Sequence, residues 1–318
     1  MENLNILFLG GAKRVSLAEH FISAGARLNY KIGIFSYELD EYCPIASVGT
    51  VIIGKKWRDD DLMDDLTQVI RENNINIVLP SVDPAIGIAA KINKLVGNKV
   101  FIPISDESIC NIMFDKKLSE KWFVENQIPI PESYACNDEL KYPVFIKPRN
   151  GSASKGLVII RNKEEWDKIS NPEDYVIQRY IQNKTEYTVD CYVAQNGEII
   201  SVVPRERLSV AGGEVMSSIT LHNTAMETIA CDVLHKGQFR GPVNIQFIKD
   251  NDNDKVYVME INPRFGGGVI TSIEAGANSP EFVLRESLGL PIYKCKDWKV
   301  NTLMTRYFKE VIFYADNH

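Results

Sequence analysis

The residues with the clearest chemical potential lie in the stretch "VYVMEIN". Glu260 and Asn262 stand two apart there and share one face of an extended strand, and Arg264 continues the same parity past Pro263. The preceding segment "VNIQFIK" brings Gln246 opposite this region if the "DNDND" turn is centred between Asp252 and Asn253. One carboxylate and two amides then converge. Val256, Val258 and Ile261 require that the hairpin be partly enclosed, and an enclosed carboxylate needs a cation. Magnesium suits so sparse an oxygen set, because it takes one or two protein carboxylates and leaves its other octahedral positions to water and substrate phosphate. Calcium does not fit, since the sixth position of "DNDNDK" is Lys255 rather than glycine and the twelfth is Ile261 rather than glutamate.

A second stretch, "FIKPRNGSASKG", sets Lys147 at the end of an apolar strand and follows it with small residues and Lys155. It is not a P-loop, which needs GxxxxGK[ST] opening a helix; "LVIIR" after it reads as another strand. A strand-loop-strand hairpin with exposed amides between two ammonium groups favours a polyphosphate. Lys116, in "FDKKLSEKW", sits at the start of a helix, where a cation opposes the dipole unless an anion is near. In "YVIQRYIQNKTEYTVD", Gln178-Arg179-Tyr180-Ile181 reads as an irregular segment whose backbone can meet an adenine edge, and Glu186, just before the next strand, can accept from ribose hydroxyls. Each stretch also has a plain structural account: a rim carboxylate, a flexible hairpin, a solvated lysine, an interdomain linker.

The elements that must position these groups fall into blocks. "LNILFLG", "VSLAEHFISAGA", "KIGIFSYE", "VGTVIIG", "DDDLMDDLTQVIRENN" and "INIVLPSVDP" alternate strand and helix and imply a parallel sheet. "DESICNIMFDKKLSEKWFVENQ" reads as helix and "IPIPESYA" as an extended connector. Shorter elements follow, then a hairpin closed by Asn196-Gly197, a helix over "NTAMETIACDVLHKGQF", the hairpin that carries Glu260, a helix over "SPEFVLRESLGL" and a closing strand over "NTLMTRYFKEVIFY".

Composition bounds the rest. At 318 residues, 45% hydrophobic and 25% charged, the chain can bury more than one core. A net charge of -6 argues against a nucleic-acid partner, which needs a local excess of Lys and Arg. No run approaches the roughly 20 apolar residues that span a bilayer, and Glu2 stands where a secretory leader carries positive charge, so no membrane partner and a cytoplasmic location are expected. Six cysteines without CxxC spacing read as reduced, and four histidines form no sequence cluster. "FLGGAKR" lacks GxGxxG and gives weak support for a nicotinamide oxidoreductase.

Taken in order, Lys116, "FIKPRNGSASKG", "IQRYI", Glu186, "NIQF" and "MEINPRFGGG" resemble the ATP-grasp superfamily, and within it the short ligases similar to the large subunit of carbamoyl-phosphate synthase. The resemblance covers essentially the whole chain. It implies an α/β and α+β fold: a Rossmann-like pre-ATP-grasp domain over 1–109, an ATP-grasp N-terminal lobe over 110–184 and a C-terminal lobe over 185–318. ATP would lie between the lobes. Lys116 and Lys147 would contact its phosphates, Ser152, Ala153, Ser154 and Gly156 would close over them, Gln178, Arg179, Tyr180 and Ile181 would hold adenine, and Glu186 would hold the ribose.

Glu260, Asn262 and Gln246 would hold Mg2+, the neutral Gln246 leaving open whether one ion or two is bound. Arg264, Gly266 and Gly267 would face the transferring phosphoryl group and the substrate carboxylate. Arg205 is a candidate for that carboxylate or the γ-phosphate, and Asp83 for a polar or amino group. The implied activity is ligation of a small-molecule carboxylate and an amine through an acyl phosphate, with a carboxylase, a small-molecule kinase or a non-catalytic ATP sensor as alternatives and a homodimer as a further expectation. A single module without a duplicated half does not suit carbamoyl phosphate synthesis itself.

Overall fold

The computed structural model describes residues 2–151 and 156–314. The first block contains β1 (Glu2–Leu9), α1 (Val15–Arg27), β2 (Tyr30–Glu38), β3 (Thr50–Ile53), α2 (Leu62–Glu72), β4 (Ile75–Pro80) and α3 (Asp83–Val96). Its strands form a parallel sheet in the order β3-β2-β1-β4. The order in which strands are added therefore reverses between β1 and β4, and loops at their carboxyl ends open a crevice. Leu17, Ala18, Phe21 and Ala24 recur at helical spacing and bury α1 against one sheet face. Helices α2 and α3 cover the other. The helix α3, which begins at Asp83 with Pro84 in its first turn, is not among the elements expected from the sequence.

The single helix expected over 106–127 is two, α4 (Glu107–Phe114) and α5 (Lys116–Glu125). Asp115 separates them and caps α5, its carboxylate accepting from the N–H groups of Lys117 and Leu118. Next come β5 (Ser133–Tyr134), β6 (Val144–Pro148), β7 (Val158–Ile160), α6 (Lys163–Trp166) and β8 (Tyr175–Arg179), with a small antiparallel sheet in the order β5-β8-β6-β7. Val144, Ile146, Ile160, Trp166 and Ile177 make its core. Ile109, Met113 and Phe123 of the helix pair instead join the core beneath the larger sheet.

That larger sheet is built from β9 (Lys184–Val193), β10 (Ile199–Ala211), β11 (Glu214–Thr220), β12 (Gly241–Asp250), β13 (Val256–Asn262) and β14 (Leu303–Thr305), in the order β13-β12-β9-β10-β11-β14. Three helices accompany it: α7 (Thr224–Lys236), α8 (Ile270–Glu274) and α9 (Ser279–Ser287). Asn196-Gly197 does close the β9–β10 hairpin. A second hairpin, β10–β11, turns on Gly212 and Gly213, both at positive φ (56° and 79°), with Ala211 paired to Glu214. The closing strand is much shorter than expected; Arg306–Tyr314 carries no regular structure.

One face of this sheet packs Val189, Val193, Ile245, Phe247 and Val258 with α7. The opposite face is divided. Tyr192, Ala194 and Ile200 share a core with Leu17, Phe21, Phe265 and Leu284, which binds the parallel-sheet block to the large lobe. The remainder, bearing Thr188, Arg205, Gln246 and Glu260, is left to a cleft.

Candidate active site

The two smaller strands aim the phosphate candidates. Along β6, Val144 and Ile146 enter the small core while Phe145 and Lys147 take the other face, which lines a cavity of about 660 Å3. Lys147 is buried, with 8% of its surface exposed, and it has no hydrogen-bond or ion-pair partner among the described residues. Burial pulls its ammonium down to about 8, against the attraction of Glu260 and Glu120, with Lys116 adding repulsion. The Lys116 ammonium donates to the Gly151 carbonyl at 2.7 Å. The anion its position called for is Asp115, which also holds the Arg149 guanidinium at 2.7 Å.

At the far end of the same cavity stand Gln178, Arg179, Tyr180 and Ile181. Gln178 and Arg179 are the last residues of β8 rather than irregular chain, because each pairs with a residue of β6. The Gln178 side chain donates to Glu120 at 3.0 Å, which fixes its amide and leaves the buried carbonyl oxygen without a partner. The Ile181 N–H likewise has no partner among the described residues, whereas that of Tyr180 donates to Pro143 at 3.2 Å. An unmet acceptor and an unmet donor suit the edge of an adenine. Arg179 is turned elsewhere: its guanidinium donates to Asp250 at 3.0 Å and ties the small sheet to the β12–β13 turn. Glu186 lies within β9, not before it, and lines the cavity.

Glu260 and Gln246 are direct neighbours across β12–β13, and Asn262 faces Asn244. A bulge sets this up. Phe247 pairs with Val258 but Gln246 pairs with Glu260, so Met259 is an extra residue that shifts the alternation by one. Val258 and Ile261 both reach the core, and Met259 and Glu260 both line the cavity. Arg207, on β10, stands over the pair: one amino group is 3.5 Å from the Gln246 oxygen and 3.6 Å from Glu186. Burial lowers the Arg207 guanidinium, with Glu186 and Glu260 acting in the other direction. Among the described residues no group of three His, Cys, Asp or Glu side chains could hold a metal. The oxygens of Glu260, Gln246 and Asn262 fit magnesium, an ion that draws its other ligands from phosphate and water.

A second cavity, of about 770 Å3, continues from there. It shares Arg207, Gly213, Gln246 and Glu260 with the first and runs to the crevice at the carboxyl ends of β1, β2 and β4. The expected substrate residues are placed differently from their sequence assignment. Arg264 and Asp83 face each other as an ion pair across 181 positions of sequence, with the Arg264 Nε donating at 2.7 Å. Arg205 is 2% exposed and donates to Asp190 at 2.8 Å; Asp190 also accepts from Ser272 at 2.7 Å and from Asn244 at 2.8 Å. Arg205 is thus a buried structural cation first, although one of its terminal nitrogens has no partner.

Asp190→Asn leaves that cation uncompensated, and we expect it to cost about 3 kcal/mol in urea unfolding. A loss below 1 kcal/mol would show that the pair is not what holds these strands. The glycine pair of "FLGGAKR" is already engaged, Gly10 donating to Tyr37 and Gly11 to the Ser36 hydroxyl. That leaves neither N–H for a dinucleotide pyrophosphate.

Comparison with known proteins bears on the domain that holds this cavity. Residues 171–307 match the family described as "ATP-grasp in the biosynthetic pathway with Ter operon". The chain carries an ATP-grasp domain. It is 25% identical over 224 residues to the carbamoyl phosphate synthase large chain, C-terminal section, of Methanopyrus kandleri, spanning 63% of this chain and 39% of that one. It is 24% identical over 257 residues to the D-alanine--D-alanine ligase of Rickettsia typhi, spanning 70% and 77%. The fold matches the biotin carboxylase–β,γ-ATP complex of Campylobacter jejuni with a TM-score of 0.74 at 16% identity, over 93% of this chain and 73% of that one. The chain thus spans well under half the length of the carbamoyl phosphate synthase chains it matches.

The matched ATP-grasp segment contains Gln178 through Ile181, Glu186, Arg205, Gln246, Glu260, Asn262, Arg264, Gly266 and Gly267; Asp83, Lys116 and Lys147 precede it. The first cavity, between the small antiparallel sheet and the larger one, brings together Lys116, Lys147, Gln178 through Ile181, Glu186, Gln246 and Glu260. Asp83, Asn262, Arg264 and Gly267 line its continuation. Ser152, Ala153 and Ser154 lie outside the described residues, and Gly156 borders them at φ 75°. Sequence reading did not single out Arg14 and Arg306, which enter the second cavity from the first loop and from the segment after β14. Among the described residues no helix is long and apolar enough to cross a membrane.

Proposed function

We propose that the protein is an ATP-dependent carboxylate–amine ligase that works through an acyl phosphate on small-molecule substrates. The observation that carries this reading is the join between the cavities: the first has lysines at its phosphate end, the second has arginines throughout, and they meet at Glu260, Gln246 and Arg207. A triphosphate laid in the first cavity presents its terminal phosphoryl group to whatever anion occupies the second. The gap suits in-line transfer between two charged partners that would otherwise repel.

In this reading Lys116 and Lys147 bind the phosphates, Gln178 and Ile181 read adenine, and Glu186 receives the ribose. Glu260, Asn262 and Gln246 would hold magnesium, which when bound neutralises charge on the β- and γ-phosphates. Arg207 stands at the transferring group. The acid's carboxylate oxygen bonds to the γ-phosphorus as the bond to the β–γ bridging oxygen breaks, giving ADP and an acyl phosphate. The amine then attacks the acyl carbon, phosphate leaves with the C–O bonding pair, and the amine proton goes to solvent. No side chain forms a covalent bond, so positioning and charge stabilisation carry the rate. Family likeness to C–N ligases supports the amine as the second substrate.

The test is a pairwise screen of amino acids, small acids and amines with magnesium and ATP, read for ADP and for product mass. Ligation predicts ADP release that needs both an acid and an amine, with a product lighter by one water than their sum. A stable phosphorylated product from one substrate would replace this reading with a kinase, and dependence on bicarbonate would replace it with a carboxylase.

A further inference from the structure

Five arginines line the second cavity, and four of them have a carboxylate partner: Arg205 with Asp190 at 2.8 Å, Arg207 with Glu186 at 3.6 Å, Arg306 with Glu214 at 3.1 Å, and Arg264 with Asp83. Arg14 has none among the described residues. Its guanidinium donates to two carbonyls, Ser81 at 2.9 Å and Gly266 at 3.4 Å, and so bridges the parallel-sheet block and the ATP-grasp lobe. Burial, followed by the facing Arg264 and Arg306, pulls it down to about 10. Glu214 and Asp83 act in the other direction from beyond contact distance. The protein therefore holds this cation among cations with no carboxylate in contact among the described residues. Its position is where an open parallel sheet binds ligands, between the loops after β1 and β4 at which the strand order reverses.

A neighbouring glycine shows where the counter-ion would sit. A Cβ built on Gly267 would stand 3.8 Å from a terminal nitrogen of Arg14 and 3.8 Å from one of Arg306. Two guanidiniums from opposite ends of the chain therefore converge on a spot kept open by the missing side chain. Arg306 also donates to the Gly267 carbonyl, which fixes its fork there.

We propose that Arg14 and Arg306, over Gly267, form the clamp for the carboxylate of the acid substrate, where the sequence pointed to Arg264 with the glycines and to Arg205 as a further candidate. This rests on the ligase reading for the identity of the acid, and on the residues above for the existence of an anion site. The carboxylate is bound between two donors, one from the N-terminal loop and one from the segment after β14. Acid binding consequently requires both blocks to be in register.

The experiment compares wild type with Arg14→Met, Arg14→Lys and Gly267→Ala. For an acid found in the pairwise screen, KM should rise about 100-fold in Arg14→Met and about tenfold in Gly267→Ala, on the scale of a buried charge-assisted contact, while Arg14→Lys recovers part of the loss. The Kd for Mg-ATP should stay within about twofold of wild type in all three, because none of these residues lines the nucleotide cavity. A merely structural Arg14 would behave differently: Arg14→Met would lower the melting temperature of the free protein and leave KM for the acid unchanged, which overturns the clamp.

Gly267→Ala guards against a misfolded variant, since its new methyl meets both arginines at ordinary contact distance. If no acid supports ADP release, the ligase reading falls, and the clamp is then judged with malonate at low ionic strength. Malonate should raise the wild-type melting temperature and not that of Arg14→Met; equal shifts, or none in wild type, overturn the clamp.

Discussion

Glu260→Gln should lower ADP release by about three orders of magnitude at saturating substrates, on the order of 4 kcal/mol in the barrier, while the protein stays folded. Three features set the size. In the proposed metal site Glu260 is the carboxylate of the donor set and its partners Gln246 and Asn262 are neutral; among the described residues no group of three acidic, cysteine or imidazole ligands stands there instead. A glutamine in its place leaves three neutral oxygens, too weak a field to draw magnesium out of its hydration shell. The substitution also removes the charge that faces Lys147 and Arg207.

Stability should change little, because Glu260 is partly exposed and makes no ion pair at contact distance among the described residues. The check is a magnesium titration of ADP release together with a melting curve. A variant that turns over at the wild-type rate with the same half-saturating magnesium would remove Glu260 from the metal site, and a collapsed melting temperature would assign it to the fold instead.

The legible and illegible parts of this molecule divide along a physical line. The βα alternation, both quoted hairpins and the parity that pairs Glu260 with Asn262 depend on local periodicity, and those readings match the structure. The bulge at Met259 left a trace in the sequence: Val258 and Glu260 share a parity yet differ in character, and apolar Ile261 has the wrong phase for a regular strand. Gly212-Gly213 between alternating residues is likewise a hairpin signal that the sequence carries. The helix after Asp83 was missed because its small and apolar residues are spread around more than one face. Which arginine is paired and which is not could not be read at all. Arg264 finds Asp83 181 positions away and Arg14 finds Gly266 across 252, and no local pattern encodes a partner at that range. Arg205 drew attention through its neighbours in "PRER", yet Asp190 already neutralises it.

The second large effect belongs to Lys147. Replacing it with methionine should weaken Mg-ATP binding by about 100-fold, because a desolvated ammonium facing a phosphate is worth more than a solvated one. Its pH dependence separates this role from a structural one. Burial lowers the ammonium from 10.5 to about 8 in the free protein. Between those values the unfolded chain binds more protons than the folded one, so the penalty for burying the charge, about 3 kcal/mol, is fully present below pH 8 and is relieved as pH rises toward 10.5.

Ligand binding runs the other way. A triphosphate selects the protonated form, so affinity should hold below pH 8 and fall by up to about tenfold per unit above it, while the free protein gains stability from this group over the same range. Lys147→Arg keeps its charge throughout and should flatten the decline. The measurement is the Kd for Mg-ATP from pH 6.5 to 9.5 in wild type, Lys147→Arg and Lys147→Met. Parallel profiles in all three would mean that the ammonium does not meet the phosphates, and the nucleotide would then have to lie elsewhere in the cleft.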